Sequence, residues 1–489
     1  MRLSTLILAA GSSLALAACM TAPPADPGIS QREAQTATQQ HSQVIAEFGG
    51  EVTGARGNYV EMVGDKVAVH SGTPNAAAAY DFTLLSSAVE NAFAIPGGKV
   101  YVTRQLMGLM DDEAELAFVL GHEVGHIAAD HSQARQAKAQ QNSILGALGA
   151  IVGGVLGGNS GVGDLLAKGA MQYAQLNTLS YSRDQEYESD TLGIRYMGAA
   201  GYDPNASASM LASLGASTAL DARIQGNSGR STPEWARTHP LSENRTARAA
   251  DLARQSPGQG GIRNRDQFLG AIDGMVMDDD PEQGIIEGRT FTHPDLKMQF
   301  TIPTGFRMQN GTRQVSIAGS SGQALFSGGR MNGNLDSYVG QVIQSIVGNQ
   351  AQVSIPQPRH TTINGLPAAY TTARVNTGNG AVDLSVMAYQ WDNGTAYHFA
   401  TLTQAGAGLQ PFASMIDSFR RISASEASAI RPRVIDVVTV KSGDTIQSLA
   451  SRMAYRDYQV DRFMVLNSLS SSSRLTPGQK VKVVVYGTR

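Results

Sequence analysis

His122-Glu123-Val124-Gly125-His126 constrains this chain more than any other stretch. The residues before it prepare a helix. Asp112 stands as N-cap, with Glu115 three residues on to close a capping box. Acidic side chains crowd the first turn, where the helix dipole favours them. Leu116, Val119, Leu120, Glu123 and Ile127 then recur at helical spacing. On that helix His122 and His126 lie one turn apart and project from the same face. Their nitrogens can then meet one tetrahedral cation at roughly 2.0–2.1 Å. Glu123 adjoins the first histidine, near enough to take a proton from a water held at the cation. Such a site needs a third protein ligand from elsewhere in the chain.

Ser182-Arg183-Asp184-Gln185-Glu186-Tyr187-Glu188-Ser189-Asp190 reads as a second helix that supplies it. Two glutamates compete. Glu186 has Asp190 one turn later on the same face, whereas Glu188 has only Leu192 there. A ligating imidazole needs an acceptor on its other nitrogen, and a carboxylate is the usual one. Glu186 as ligand with Asp190 behind His122 meets both needs.

The chain has 489 residues, enough for two to four domains. Its formal charge is −3 and it carries no basic tract, which argues against a nucleic-acid partner. The single cysteine, Cys19, rules out an intramolecular disulfide. It follows Arg2 and the apolar run Leu3 to Ala18, which reads as a signal peptide over residues 1–18. Leu16-Ala17-Ala18-Cys19 resembles the bacterial lipobox, in which the cysteine is lipidated and becomes the mature N-terminus. Met20 stands where an aspartate would retain such a protein at the inner membrane. The resemblance thus implies a lipid anchor in the outer membrane, facing the periplasm. Residues 19–30, rich in Pro and Ala, read as a tether.

Residues 31–255 are expected to form the first domain. Arg32 to Phe48 is helix-permissive, and Val60, Val63 and Val67 repeat at helical spacing. Tyr80 to Leu85 and Ala88 to Ile95 read as strands. Asn91 to Val102 forms a hairpin around Pro96-Gly97-Gly98. Its Phe93-Ala94 strand either offers a free edge to a substrate backbone or is purely structural. Ser143 to Asn159 is apolar and glycine-rich, a close-packed helix pair, a lid or a membrane-dipping hairpin.

His122-Glu123-x-x-His126 with Glu186-x-x-x-Asp190 resembles the M48 family of zinc metallopeptidases, of the gluzincin type. The Asn91 to Val102 hairpin and Thr238-His239-Pro240-Leu241-Ser242-Glu243-Asn244-Arg245 resemble two further family motifs. The resemblance implies a mainly α protease domain with a small β-sheet, and one Zn²⁺ per chain held by His122, His126 and Glu186. It also implies catalytic roles for Glu123, His239 and Arg245, with His239 either blocking the open metal position or steadying the transition state. His131 matches a position often filled by histidine in the family. It lies one residue off helical register from His126, so a structural role is expected for it.

Residues 256–284 carry Gly, Asp and Pro and are expected to be a linker with one short helix, Phe268 to Met277. Residues 285–423 mix strands (Phe291 to Pro303, Ala368 to Val375, Val382 to Trp391, Thr395 to Leu402) with helices (Leu335 to Ile346, Pro411 to Phe419). This α/β domain faintly resembles the PsbP-like fold and shows no catalytic constellation. A second linker is expected at 424–433. Residues 434–489 then resemble a LysM module, a βααβ unit that binds N-acetylglucosamine-containing glycans. Its groove would lie between Gly443-Asp444-Thr445 and Pro477-Gly478.

Together these features imply a zinc metalloendopeptidase acting on envelope polypeptides in quality control, tied to the membrane by lipid and to peptidoglycan by its last domain. Two alternatives stay open: a plugged metalloprotease acting as a chaperone or binding protein, and a hydrolase of peptidoglycan cross-links.

Overall fold

The computed structural model describes residues 29–132, 181–224, 234–240, 244–347, 353–377 and 380–488. Cys19 and the 143–159 stretch lie outside them.

The first part of the chain places a three-stranded sheet between helices. Helices α1 (Gln31–Glu47), α2 (Ala55–Ala68) and the short α3 (Ala76–Ala79) precede strands β1 (Asp81–Leu85), β2 (Ala92–Ile95) and β3 (Lys99–Thr103). The sheet order is β1-β3-β2, with β1 parallel and β2 antiparallel to β3. Strand alternation divides its side chains. Val100 and Val102 join α2 and the helices beyond, while Phe93, Ile95 and Tyr101 pack under Ala37 and Val44 of α1. Strand β2 is left at the sheet's edge.

Helix α4 (Arg104–Leu109) leads into α5 (Glu113–Ala128), which carries both histidines of the motif. Asp112 caps α5, its Oδ1 accepting from Glu115 N at 3.1 Å. The expected capping box closes one residue earlier: Glu115 Oε2 accepts from Asp111 N at 2.8 Å. Every residue of α5 from Glu113 to His126 is buried, so its apolar positions run round the whole helix. Against it lie α6 (Arg183–Ala199), α7 (Ala206–Ile224) and, further on, α8 (Glu234–Thr238) and α9 (Arg245–Gln255). Close approach of α5 and α6 depends on Gly193, where a Cβ would stand 2.8 Å from His122 N.

Residues 256–284 are folded, contrary to the linker expectation. Helix α10 (Arg265–Ile272) is shorter than expected, and after it Gly274 turns the chain with φ +71° into strand β4 (Val276–Met277). Strand β4 pairs with β16 (Arg433–Thr439) of the last unit, so that unit's sheet takes a strand from the segment that follows the first domain. Phe268, Leu269 and Ile272 help to fuse that unit to the first domain in one apolar core.

Between them, residues 285–423 build a separate core. A seven-stranded antiparallel sheet runs β11-β12-β13-β14-β10-β9-β8, from β8 (Phe306–Asn310), β9 (Val315–Gly319) and β10 (Gly322–Arg330) to β11 (Arg359–Ile363), β12 (Leu366–Thr377), β13 (Gly380–Gln390) and β14 (Thr395–Gln404). Helix α11 (Leu335–Val347) covers Leu384, Val386 and Ala388 on one face. Met387 and Tyr389, alternating with them, meet the other core. There lie a small sheet of β5 (Ile285–Glu287), β6 (Thr290–His293), β7 (Met298–Thr301) and β15 (Arg420–Arg421), and helix α12 (Ala413–Ser418). The expected 424–433 linker contains helix α13 (Ala424–Ala429), closed by a Ser423–Glu426 capping box. The last unit is β16, α14 (Ile446–Ala450), α15 (Gln459–Leu466) and β17 (Lys480–Tyr486), the expected βααβ order.

Candidate metal centre

Two facing helices build the site. From α5, His122 Nε2 and His126 Nε2 point at each other 3.0 Å apart. From α6, Glu186 presents Oε2 at 3.7 Å from the first and Oε1 at 3.5 Å from the second. Tetrahedral ligands about 2.0–2.1 Å from one ion stand roughly 3.3 Å from each other, so these separations bracket the value a zinc site needs. Two imidazole lone pairs this close repel unless something positive lies between them. Glu186 Oε1 has no hydrogen-bond partner among the described residues, which leaves it free to serve a cation. His122, His126, Glu186 and His239 are all buried, and one donor atom from each falls within 4.8 Å of the others. The donor set, imidazole nitrogens and a carboxylate, fits Zn²⁺.

Behind the ligands lies a charged support. Asp190 Oδ1 stands 3.1 Å from His122 Nδ1, the acceptor position expected for it. Arg245, first residue of α9, donates from Nε and Nη2 to Asp190 at 2.8 and 2.6 Å, and from Nη1 to Glu186 Oε2 at 2.6 Å. Burial pushes the Asp190 carboxyl up, but Arg245 and His122 outweigh it and hold the group at about 2. Burial likewise opposes charge on His122, and Asp190 and Glu186 overcome it, raising that pKa. Arg245, expected among the catalytic groups, places its guanidinium on these two carboxylates, a geometry that positions them.

Glu123 faces the site with 0% exposure, 3.3 Å from His239 Nε2. His239 sits just past α8, its N–H bonded to Trp235 O at 2.7 Å and its ring stacked on Trp235 at 4.1 Å. Burial holds His239 well below the usual histidine range, hence neutral. Thr238 Oγ1 donates to Trp235 O and lies 2.9 Å from His239 Nδ1.

Two neighbours, Tyr181 and Trp235, are not singled out by the sequence, and a third, His131, stands closer to the ligands than its register suggests. Tyr181 stacks on His126 with centroids 3.6 Å apart. Trp235 precedes His239 by four residues, and that helical spacing was the available signal. His131 Nδ1 lies 2.9 Å from His126 Nδ1. Its chain position looked wrong because α5 ends at Ala128 and Asp130 takes φ +55°, folding the next residue back beneath the helix.

Of the proposed substrate strand, Phe93 turns its ring into the core between Phe48 and Tyr101, each 4.9 Å away. Only the backbone of Phe93 and Ala94 at the sheet edge is left for a partner chain. In the last unit, Gly443 and Thr445 on one loop and Pro477 and Gly478 on the other are exposed, with Asp444 half-buried. Gly478 N bonds Val440 O at 2.9 Å, which keeps the loops adjacent.

Residues 55–253 match the model of peptidase family M48, and residues 438–484 match the LysM domain model. The beta-barrel assembly-enhancing protease of Escherichia coli (strain K12) is 31% identical over 201 residues, 40% of this chain and 39% of that protein. The mitochondrial metalloendopeptidase OMA1 of Schizosaccharomyces pombe is 27% identical over 219 residues, 44% of this chain and 58% of that protein. The chain thus spans well under two thirds of the length of either relative. The solution structure of cyanobacterial PsbP from Synechocystis sp. is 11% identical, with a TM-score of 0.22 over 27% of this chain and 91% of that one. The chain therefore carries a peptidase family M48 domain at residues 55–253 and a LysM domain at residues 438–484.

Proposed function

We propose that this chain is a zinc-dependent endopeptidase cleaving polypeptides of the bacterial envelope. The observation that carries the reading is the convergence of His122, His126 and Glu186 on one point beside the buried Glu123. Bound zinc supplies Lewis acidity toward a water and the scissile carbonyl. Glu123 takes the proton of the attacking water and returns it to the leaving amine. Asp190 fixes the His122 ring, and Arg245 holds Asp190 and Glu186 in place. The unpaired edge of β2 receives the substrate backbone as an added strand.

The relatives, a protease and a metalloendopeptidase by name, support proteolysis, and the LysM match supports a peptidoglycan partner. We assign the protein to the periplasmic face of the outer membrane, anchored by lipid on Cys19, with a quality-control role. No helix of the described residues is long and apolar enough to cross a membrane. Gly443, Asp444, Thr445, Pro477 and Gly478 are the proposed glycan contacts.

One observation favours a plugged resting state. One nitrogen of the buried His239 belongs to the same donor group as His122, His126 and Glu186, as a fourth ligand filling the open position would. Cleavage then requires the Glu234–His239 segment to move, and a chain that stays plugged acts as a binding protein.

Casein cleavage by the full chain, wild type and Glu123→Gln, tests the proposal. Loss of about 10²-fold or more in rate with zinc retained supports it. Undiminished cleavage by the variant refutes it, and an envelope phenotype that survives in the variant favours the binding reading.

A further inference from the structure

Neutral His126 can hold a metal through Nε2 only if Nδ1 carries the proton and donates it to something. His122 has Asp190 beside its Nδ1 for that purpose. The Nδ1 of His126 meets the Nδ1 of His131 at 2.9 Å. For that contact to be a hydrogen bond, His131 must accept through Nδ1 and keep its own proton on Nε2. Nε2 of His131 in turn lies 3.3 Å from Glu188 Oε2. His131 is 3% exposed, while the Glu188 side chain is 61% exposed. A run of hydrogen bonds therefore leads from a buried ligand to a carboxylate at the surface.

Other contacts hold this arrangement in place. Gln185 Nε2 donates to His131 O at 3.3 Å, tying the turn after α5 to α6. Ser189 Oγ lies 3.4 Å from His131 Nδ1. Tyr181, stacked on His126, fixes the plane of that ring. Helix α6 thus serves both imidazoles: Asp190 reaches His122 directly, and Glu188 reaches His126 through His131.

We propose that His131, backed by Glu188, is a positioning residue of the metal centre that sets the tautomer and orientation of His126. The proposal rests on the zinc reading above and replaces the purely structural role expected for His131.

Zinc affinity of the full chain, by competition with a chelator at fixed pH, is the test. It is paired with thermal melting of the metal-free protein. His131→Phe removes the acceptor and should weaken zinc binding about 10- to 100-fold, the usual effect of losing such a partner. His131→Asn, which restores an acceptor oxygen, should recover most of that loss. Metal-free melting of the two variants should agree, because a packing role would affect both folds rather than the zinc affinity alone. Glu188→Ala lies at the surface and carries the test if His131→Phe fails to fold; weakening of about threefold or more is expected. Zinc affinity unchanged in His131→Phe, or in Glu188→Ala when the former does not fold, overturns the proposal. Failure of wild type to bind zinc overturns the underlying reading instead.

Discussion

Single residues decide the chemistry here by what surrounds them. Asp190 would be an expensive carboxylate to bury alone; Arg245 and His122 make its ionised form the stable one. His398, in the α/β domain, is the opposite case. It is buried against Tyr338, its Nδ1 2.9 Å from the hydroxyl, and burial lowers its pKa to about 4. Unfolded, it titrates near its usual 6.5, so the unfolded chain binds the extra proton first. Its effect is absent above pH 6.5 and grows as destabilisation while pH falls towards about 4. Urea unfolding followed between pH 7 and 4 should show midpoints falling with acidity, and His398→Gln should flatten that slope. An identical slope in the variant would assign the acid sensitivity elsewhere.

At the scale of elements, the motif helix and its partner were readable because their signals are local. Asp112 caps, Glu186 and Asp190 lie one turn apart, and Asn91 to Val102 carries its turn in Pro96-Gly97-Gly98. Non-local pairing was not readable. Strand β11, Arg359–Ile363, is exposed at four of five positions and has no alternation to detect. Strand β4 is two residues long and exists only because β16 lies beside it. The approach of His131 to His126 is not readable for a related reason: a helical register cannot anticipate the left-handed residue at Asp130. Contact between α5 and α6 yields its own prediction. Gly193→Ala puts a methyl 2.8 Å from His122 N, which neither backbone can absorb without moving. Overpacking of this kind costs about 1–3 kcal/mol. Calorimetry should show a lower melting temperature, and zinc affinity should fall with it. Unchanged values for both would mean that the helices are not held this tightly.

Across the whole molecule, the C-terminal unit is part of the peptidase body rather than a pendant. Lys482 of β17, 0% exposed, donates from Nζ to the carbonyls of Gly108, Leu109 and Met110 at 3.1, 3.1 and 2.5 Å. It also lies 3.2 Å from Asp111 Oδ1, next to the cap of α5. Lys482→Met would leave three carbonyls without their donor and Asp111 with Arg265, at 3.3 Å, as its remaining cation. Removing one partner of a buried pair costs roughly 3–5 kcal/mol. The expected result is earlier unfolding of the peptidase part, read from Trp235, with Trp391 in the α/β domain reporting little change. Equal stability of the variant would show that the two ends of the chain are only loosely joined.

The metal itself remains the sharpest test of the account. Zinc counted by elemental analysis in the purified full chain should give one ion per molecule, and Glu186→Ala should retain almost none. A wild-type chain without zinc, or a Glu186→Ala chain that keeps its full complement, would contradict the convergence of α5 and α6 on a single ion.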